Sequence, residues 1–275
     1  MIKNLQLKSE QVRLRLLNVI YKAKAGHIGG GLSSANILTA LYFHVLNVDS
    51  REPKKKDRDR FIMSKGHSVE ILYSVLEAAG FISKETLDSY GDYASALAGH
   101  PTIKIPGVEV SSGALGHGLS VGVGMAISAK MNQEAYKTFV LMGDGEQAEG
   151  SIYEAAMSGS HYKLDNLVGI IDRNGLQISD KTEEVMTLEP MRERWEAFGW
   201  EVLEMNGNDM ENIIKTFESI NYQNKKPHLI ISKSTKGQGI SYMENVLKWH
   251  HGVPSQEEFI QASDEIEQRI AQLEK

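Results

Sequence analysis

Three short, nearly unbroken apolar runs constrain this chain more than any other feature. They are Thr138-Phe139-Val140-Leu141-Met142, Leu167-Val168-Gly169-Ile170-Ile171 and His228-Leu229-Ile230-Ile231. A strand with one wet face alternates apolar and polar residues, whereas a strand covered on both faces does not. Residues 147–162, 190–198 and 209–221 read as helices between these runs, Trp200–Glu204 reads as strand-like, and a last helix runs from about residue 255 to the end. Apolar strands alternating with helices specify a parallel sheet with helices on both faces. The expected fold is α/β, a three-layer, doubly wound and mostly parallel sheet, as one domain over residues 1–275.

The first half carries weaker signals. Val12, Leu16, Val19 and Ile20 fall at helical spacing after Ser9, which reads as an N-cap. Ser33 or Ser34 reads as the cap of a second helix containing Ile37, Leu38, Leu41 and Val45. Phe61-Ile62-Met63 is a short strand candidate, followed by a helix with Ile71, Leu72, Val75 and Leu76. Ser83 reads as the cap of the next helix.

Composition removes several function classes. Net charge is −6, so the chain lacks the basic footprint that nucleic acid demands. It has no cysteine, which excludes a disulfide framework, a thiol nucleophile and Cys-ligated zinc. No segment approaches the ~18 apolar residues of a membrane span. Residues 1–11 lack the apolar core, about 7–15 residues long, of a secretion signal. The expectation is a cytoplasmic protein that engages neither nucleic acid nor membrane. The mixed-sign run Lys54–Arg60 reads as a solvated loop.

In a doubly wound sheet, ligands sit at the carboxyl ends of the strands. The first run ends in Gly143-Asp144-Gly145-Glu146 and the second in Asp172-Arg173-Asn174-Gly175-Leu176. The glycines allow a tight turn and close approach of a ligand. Asp144 offers a carboxylate oxygen and Asn174 an amide oxygen. With a backbone carbonyl and phosphate oxygens, these make a donor set suited to Mg²⁺. The helix after the first turn presents free N–H groups and a positive dipole end, suited to phosphate.

This pairing resembles the thiamine-diphosphate (ThDP) motif, Gly-Asp-Gly followed some thirty residues later by Asn. The wider match resembles the N-terminal half of transketolase and covers nearly the whole chain. It runs through Ala25-Gly26-His27, Ser64-Lys65-Gly66-His67, Gly99-His100-Pro101, Pro106-Gly107-Val108-Glu109 and Ser112–Gly116. Beyond the two strand-end motifs it continues through Glu149-Gly150, Lys236-Gly237-Gln238-Gly239 and Trp249-His250. The resemblance implies that Asp144 and Asn174 bind Mg²⁺ through side chains and Leu176 through its carbonyl. It implies cofactor contacts at Gly113, Leu115, Gly143, Asp144, Gly145, Glu146, Glu149, Asn174 and Leu176. Glu149 and Glu154 match acidic positions near the family's subunit interface.

His27, His67, His100 and His250 match the family's substrate-channel and cofactor-amine histidines. A histidine titrates near neutrality and can move hydroxyl protons in both directions. His251 is adjacent and is the other candidate for the His250 role. Lys236 matches a basic position near the site, as does Lys65. His117 stands where the family usually carries Gln. His44, His161 and His228 fall outside these motifs and read as surface or core residues.

No segment resembles the family's pyrimidine-binding domain, which supplies the glutamate that activates the cofactor. The resemblance therefore implies the N-terminal subunit of a split, ThDP- and Mg²⁺-dependent transketolase that moves a two-carbon ketol unit from a ketose to an aldose. A C-terminal subunit carrying the pyrimidine-binding domain and catalytic Glu would complete an α₂β₂ assembly. A piece of a full-length enzyme would look similar. The alternatives are a subunit of another split ThDP enzyme, acting on a 2-oxo acid or a specialised sugar, and an inactive partner-binding paralogue. The histidine motifs favour the transketolase branch.

Overall fold

The computed structural model describes residues 1–275. Five strands form one sheet: β1 (Arg60–Met63), β2 (Thr138–Gly143), β3 (Leu167–Arg173), β4 (Glu201–Asn206) and β5 (His228–Lys233). Every pairing is parallel and the order is β1-β2-β3-β5-β4. The helices are α1 (Ile2–Ala23), α2 (Ile28–Ala40), α3 (Val69–Ala78), α4 (Lys84–Asp88), α5 (Gly118–Met131) and α6 (Gly150–His161). They continue with α7 (Thr182–Val185), α8 (Met191–Ala197), α9 (Met210–Glu218) and α10 (Gln256–Glu274).

Strand side chains divide between two cores with the period of two that a pleated strand imposes. Phe139, Leu141, Val168, Ile170 and Ile230 face a large core shared with α1, α2, α3, α9 and α10. Val140, Met142, Leu167, Ile171, Leu229 and Ile231 face a smaller core shared with α5, α6 and α8. The expected three-layer α/β sheet is present. The apolar runs lack alternation because both faces are dry.

Two expected caps are corrected. Helix α1 starts at Ile2, and Ser9 lies within it at 1% exposure, its hydroxyl on Asn36 Oδ1 at 2.7 Å. The buried stripe continues back through Ser9 to Leu5, and this polar member hides its length. Helix α2 starts at Ile28, so Ser33 and Ser34 are interior positions that bond back to the Gly30 carbonyl. All residues of α2 are buried, which leaves no polar face and no readable period. Ser83 does cap α4, accepting from the Thr86 amide at 3.2 Å. The expected helix over 147–162 is divided into a tight turn, Gly145–Ala148, and α6. Within the Lys54–Arg60 run, Asp59 is buried and accepts the backbone N–H groups of Asn47 and Lys137, which anchors the start of β1.

Trp200, just before β4, locks α6 to the sheet. Its indole N–H donates to the Ala156 carbonyl at 2.9 Å, and its ring packs edge-on against Trp195. Gly159 makes the approach possible, since a Cβ there would stand 2.9 Å from the indole. Alanine normally stabilises a helix interior by about 1 kcal/mol relative to glycine. Here Gly159→Ala is expected to destabilise instead, by about 1–3 kcal/mol through overpacking. A chemical-denaturation midpoint at or above wild type would contradict that packing argument.

Candidate active site

The carboxyl ends of β1, β2, β3 and β5 converge with the start of α2 on a cleft of about 520 Å³. Its wall includes His27, Lys65, His67, Gly113, Leu115, Gly143, Asp144, Gly145, Glu146, Glu149, Asn174, Leu176, Lys236 and His250. Nearly every residue singled out in the sequence therefore lines one space. His100 stands just outside this wall, packed on Gly113, where a Cβ would lie 3.2 Å from its ring. Gln177, Ile178 and Ser179 also line it. They lie directly after the Asn174 motif but carry no signal of their own. Glu154 lies exposed on α6.

Beneath the cleft floor, Asp172 and Lys65 form an ion pair at 2.5 Å, at 0% and 1% side-chain exposure. The Lys65 ammonium also donates to the Gly30 carbonyl and Ser34 hydroxyl, both at 2.9 Å, so all three protons are placed. Asp172 accepts from Ser33 at 2.7 Å, from Asn174 Nδ2 at 3.1 Å and from Ser234. Burial pushes this carboxyl up, but Lys65 and the hydroxyls hold it below its ordinary value. Sequence reading singled out Lys65 and passed over Asp172, because a carboxylate at a strand end does not announce a partner 107 residues away.

The bond from Asn174 Nδ2 to Asp172 leaves Asn174 Oδ1 as the acceptor side, where it takes the Leu176 amide at 3.2 Å. Asp144 Oδ1 accepts only its neighbour's amide, Gly145 N, at 2.8 Å. The Leu176 carbonyl accepts from the Lys236 ammonium at 2.7 Å and has its second lone pair available. Gly145 packs closely under Gln177, where a Cβ would stand 2.9 Å from that side chain and require it to shift. Glu146 turns inward: its carboxylate accepts from the amides of Gly116 at 2.8 Å and Gly143 at 3.0 Å and from the Ser64 hydroxyl. Burial raises its pKa. It thus ties the Gly113–Gly116 loop to the ends of β1 and β2.

Three imidazoles meet at the other side of the cleft. His67 and His250 stack at 5.6 Å between ring centroids, and His27 stands edge-on to them at 5.2 and 5.8 Å. Burial is the main cause that lowers their pKa values, to about 4 for His27, 2 for His67 and 3 for His250. All three are neutral near pH 7. His250 lines the cleft, with Lys236 Nζ at 2.6 Å from its Nδ1. His251 is exposed, 4.7 Å from the His27 ring. Burial, reinforced by Lys65, lowers Lys236 to about 8.

Glu70, which the sequence reading passed over, lies buried on α3 beneath the His27 loop and accepts the Tyr90 hydroxyl at 2.8 Å. Burial pushes its carboxyl up to about 7. Gly26 fits there only without a side chain: its φ is +148°, and a Cβ would stand 2.9 Å from Glu70 Oε1. His117 precedes α5 with its Nδ1 3.0 Å from the Leu115 carbonyl. His228 is buried beside Glu201, and His44 pairs with Glu218.

No group of three or more His, Cys, Asp or Glu side chains is arranged to hold a metal. The donor set is instead mixed: one carboxylate oxygen, one amide oxygen and one carbonyl, all hard oxygens. Two buried ammonium groups, Lys65 and Lys236, line the same space. Those features fit a divalent cation bound together with a diphosphate.

Removing one partner of a buried ion pair leaves the other charge uncompensated. Asp172→Asn is therefore expected to lower stability by about 3–5 kcal/mol, and a loss below about 1 kcal/mol would rule out the pair as an organiser. The imidazoles generate a second prediction. His27 has its pKa depressed from 6.5 to about 4 in the folded chain, so the unfolded chain binds more protons between those values. Stability should therefore fall as pH drops through that window, and His27→Gln should flatten the fall. Urea midpoints at pH 7 and 5 measure this, and identical pH slopes for both proteins would refute it.

Known proteins resemble this chain over nearly its whole length. The family described as the transketolase thiamine diphosphate binding domain matches residues 5–267. An apulose-4-phosphate transketolase subunit of Phocaeicola vulgatus is 65% identical over 274 residues, covering 100% of this chain and 98% of that protein. The 6-deoxy-6-sulfo-D-fructose transketolase subunit SqwG of Clostridium sp. (strain MSTE9) is 35% identical, with 98% of each chain covered. Transketolase from Campylobacter jejuni superposes with a TM-score of 0.86 at 32% identity, over 98% of this chain and 48% of that one. The chain thus spans about half the length of the solved transketolase but nearly the full length of the two subunits. It belongs to the transketolase family, as the thiamine-diphosphate-binding domain.

Proposed function

We propose that this chain is the N-terminal subunit of a split, ThDP- and Mg²⁺-dependent transketolase that moves a two-carbon ketol unit between a ketose phosphate and an aldose phosphate. The observation that carries this reading is the sharing of one cleft by the oxygen donors Asp144, Asn174 and Leu176 and the imidazoles His27, His67 and His250. The first set holds the cation. Lys236 supplies positive charge for a diphosphate, and the open wall at Gly143 admits it closely. The second set is neutral near pH 7, so each imidazole can hydrogen-bond a sugar hydroxyl as donor or acceptor. His100 stands beside Gly113, just outside the cleft wall, which supports a contact with the sugar. Thiamine diphosphate, when bound, supplies a nucleophilic ring carbon and an electron sink for breaking the carbon–carbon bond.

The name of the Phocaeicola vulgatus relative supports apulose 4-phosphate as a substrate. The histidine cluster supports ketose chemistry over 2-oxo-acid decarboxylation. A partner subunit is supported by the relatives' names as subunits and by the surface. Helix α5 is apolar almost all round, yet Val121 is 37% and Met131 78% exposed, and Met157 on α6 is 55% exposed. Such a helix is ordinarily covered. An exposed apolar surface of this kind fits another protein as its cover. An α₂β₂ assembly would join two such chains to two subunits carrying the pyrimidine-binding domain and its catalytic Glu.

The test is a tagged purification from the native source, followed by an assay of ketol transfer with ThDP, Mg²⁺ and an aldose phosphate. Apulose 4-phosphate and xylulose 5-phosphate serve as donors. A stoichiometric second chain and ThDP-dependent transfer are expected. Asp144→Ala should weaken Mg²⁺-dependent ThDP binding by more than the about 10–100-fold typical of losing an outer-shell partner. Undiminished affinity would remove Asp144 from the site, and decarboxylation of a 2-oxo acid without ketol transfer would overturn the assignment.

A further inference from the structure

Arg173 lies at the end of β3 between Asp172 and Asn174, and its side chain is 13% exposed. One guanidinium nitrogen donates to Asp144 Oδ2 at 3.2 Å. The other donates to Glu183 at 2.5 Å and to Glu189 at 3.2 Å. Both outer carboxylates are fixed in turn, Glu183 by the Leu188 amide and Glu189 by the Met191 amide. A single side chain thus joins the candidate cation ligand to the segment that follows the cleft lining.

On Coulomb grounds alone, a cation beside a cation ligand is misplaced. Two features of the geometry reverse that expectation. Three carboxylates surround this one guanidinium, so the cluster carries two negative charges in excess and does not repel an ion. The second feature is the division of labour between the two Asp144 oxygens. Oδ2 takes Arg173, the Gly175 amide at 2.7 Å and the Thr182 hydroxyl at 3.1 Å. Oδ1 takes only the Gly145 amide at 2.8 Å. The carboxylate cannot turn without breaking the Oδ2 bonds, so Oδ1 is the oxygen that keeps capacity for a ligand. Asp172 does the same for Asn174, and adjacent residues of one strand end therefore orient both side-chain ligands.

We propose that Arg173 is a positioning residue for the divalent cation: it pins Oδ2 of Asp144, so that Oδ1 meets the ion, while Glu183 and Glu189 balance its charge. This rests on the reading of Asp144 as a cation ligand. It also requires the planar fork of arginine, since a lysine ammonium is a point charge that cannot span Asp144 and Glu183 in the same way.

The test is a Mn²⁺ titration of the metal-free complex of this chain with its partner subunit, in the presence of ThDP, with free Mn²⁺ read by electron paramagnetic resonance. Arg173→Met should weaken Mn²⁺ binding about tenfold or more, the scale of losing an outer-shell partner. Arg173→Lys and Glu183→Gln should each give a several-fold loss, with melting temperatures near wild type. Unchanged or tighter Mn²⁺ binding by Arg173→Met, the result that charge repulsion alone produces, overturns the proposal. If Arg173→Met does not fold, wild-type affinity in both Arg173→Lys and Glu183→Gln overturns it. A wild-type complex that binds ThDP but no Mn²⁺ overturns the cation assignment itself, and this inference with it.

Discussion

The buried ion pair between Lys65 and Asp172 is the interaction on which the rest of the site depends. An isolated charge at that depth would be costly, and even a pair is stabilising only when every lone pair and proton is placed. Here they are placed, because the Gly30 carbonyl and the Ser33, Ser34, Ser234 and Asn174 side chains converge on the two groups. Those partners come from α2, from the end of β3 and from the loop after β5. One polar knot therefore sets the relative position of four chain segments, each of which also carries a cleft residue: His27, Lys65, Asn174 and Lys236.

That knot explains how a cleft lined by loops can be rigid. Asn174 has its amide oriented by Asp172, and Asp144 has its carboxylate oriented by Arg173, Gly175 and Thr182. Glu146 performs the same service for the Gly113–Gly116 loop, and Glu70 lies under the loop that presents His27. The groups that face the cleft are held by groups that do not. Preorganisation of this kind keeps donors and acceptors aimed before any ligand arrives.

The electrostatic character of the cleft follows from its depth. Removal from water lowers the basicity of three imidazoles and of Lys236 while leaving Lys65 matched by Asp172. Neutral imidazoles beside the Lys236 ammonium form an environment that attracts a polyanion and hydrogen-bonds the hydroxyls of a neutral sugar.

The sequence by itself determined the architecture and most of the cleft wall. Apolar runs at 138–142, 167–171 and 228–231 can be satisfied only by a sheet covered on both faces. The glycine-flanked Asp144 and the Asn174 motif stand at strand ends, where such sheets bind ligands. Those signals are local, carried by neighbouring residues, and so they are legible. The starts of α1 and α2 were not legible, because Ser9, Ser33 and Ser34 are polar side chains buried inside helices, where each also reaches a partner on another element. The roles of Asp172, Arg173 and Glu70 were hidden for the same reason. Only the tertiary structure decided which oxygen of Asp144 is occupied, and that His250 rather than His251 lines the cleft beside Lys236. A hydrogen bond between distant segments has no period and no fixed spacing, so it exists only once the chain is folded.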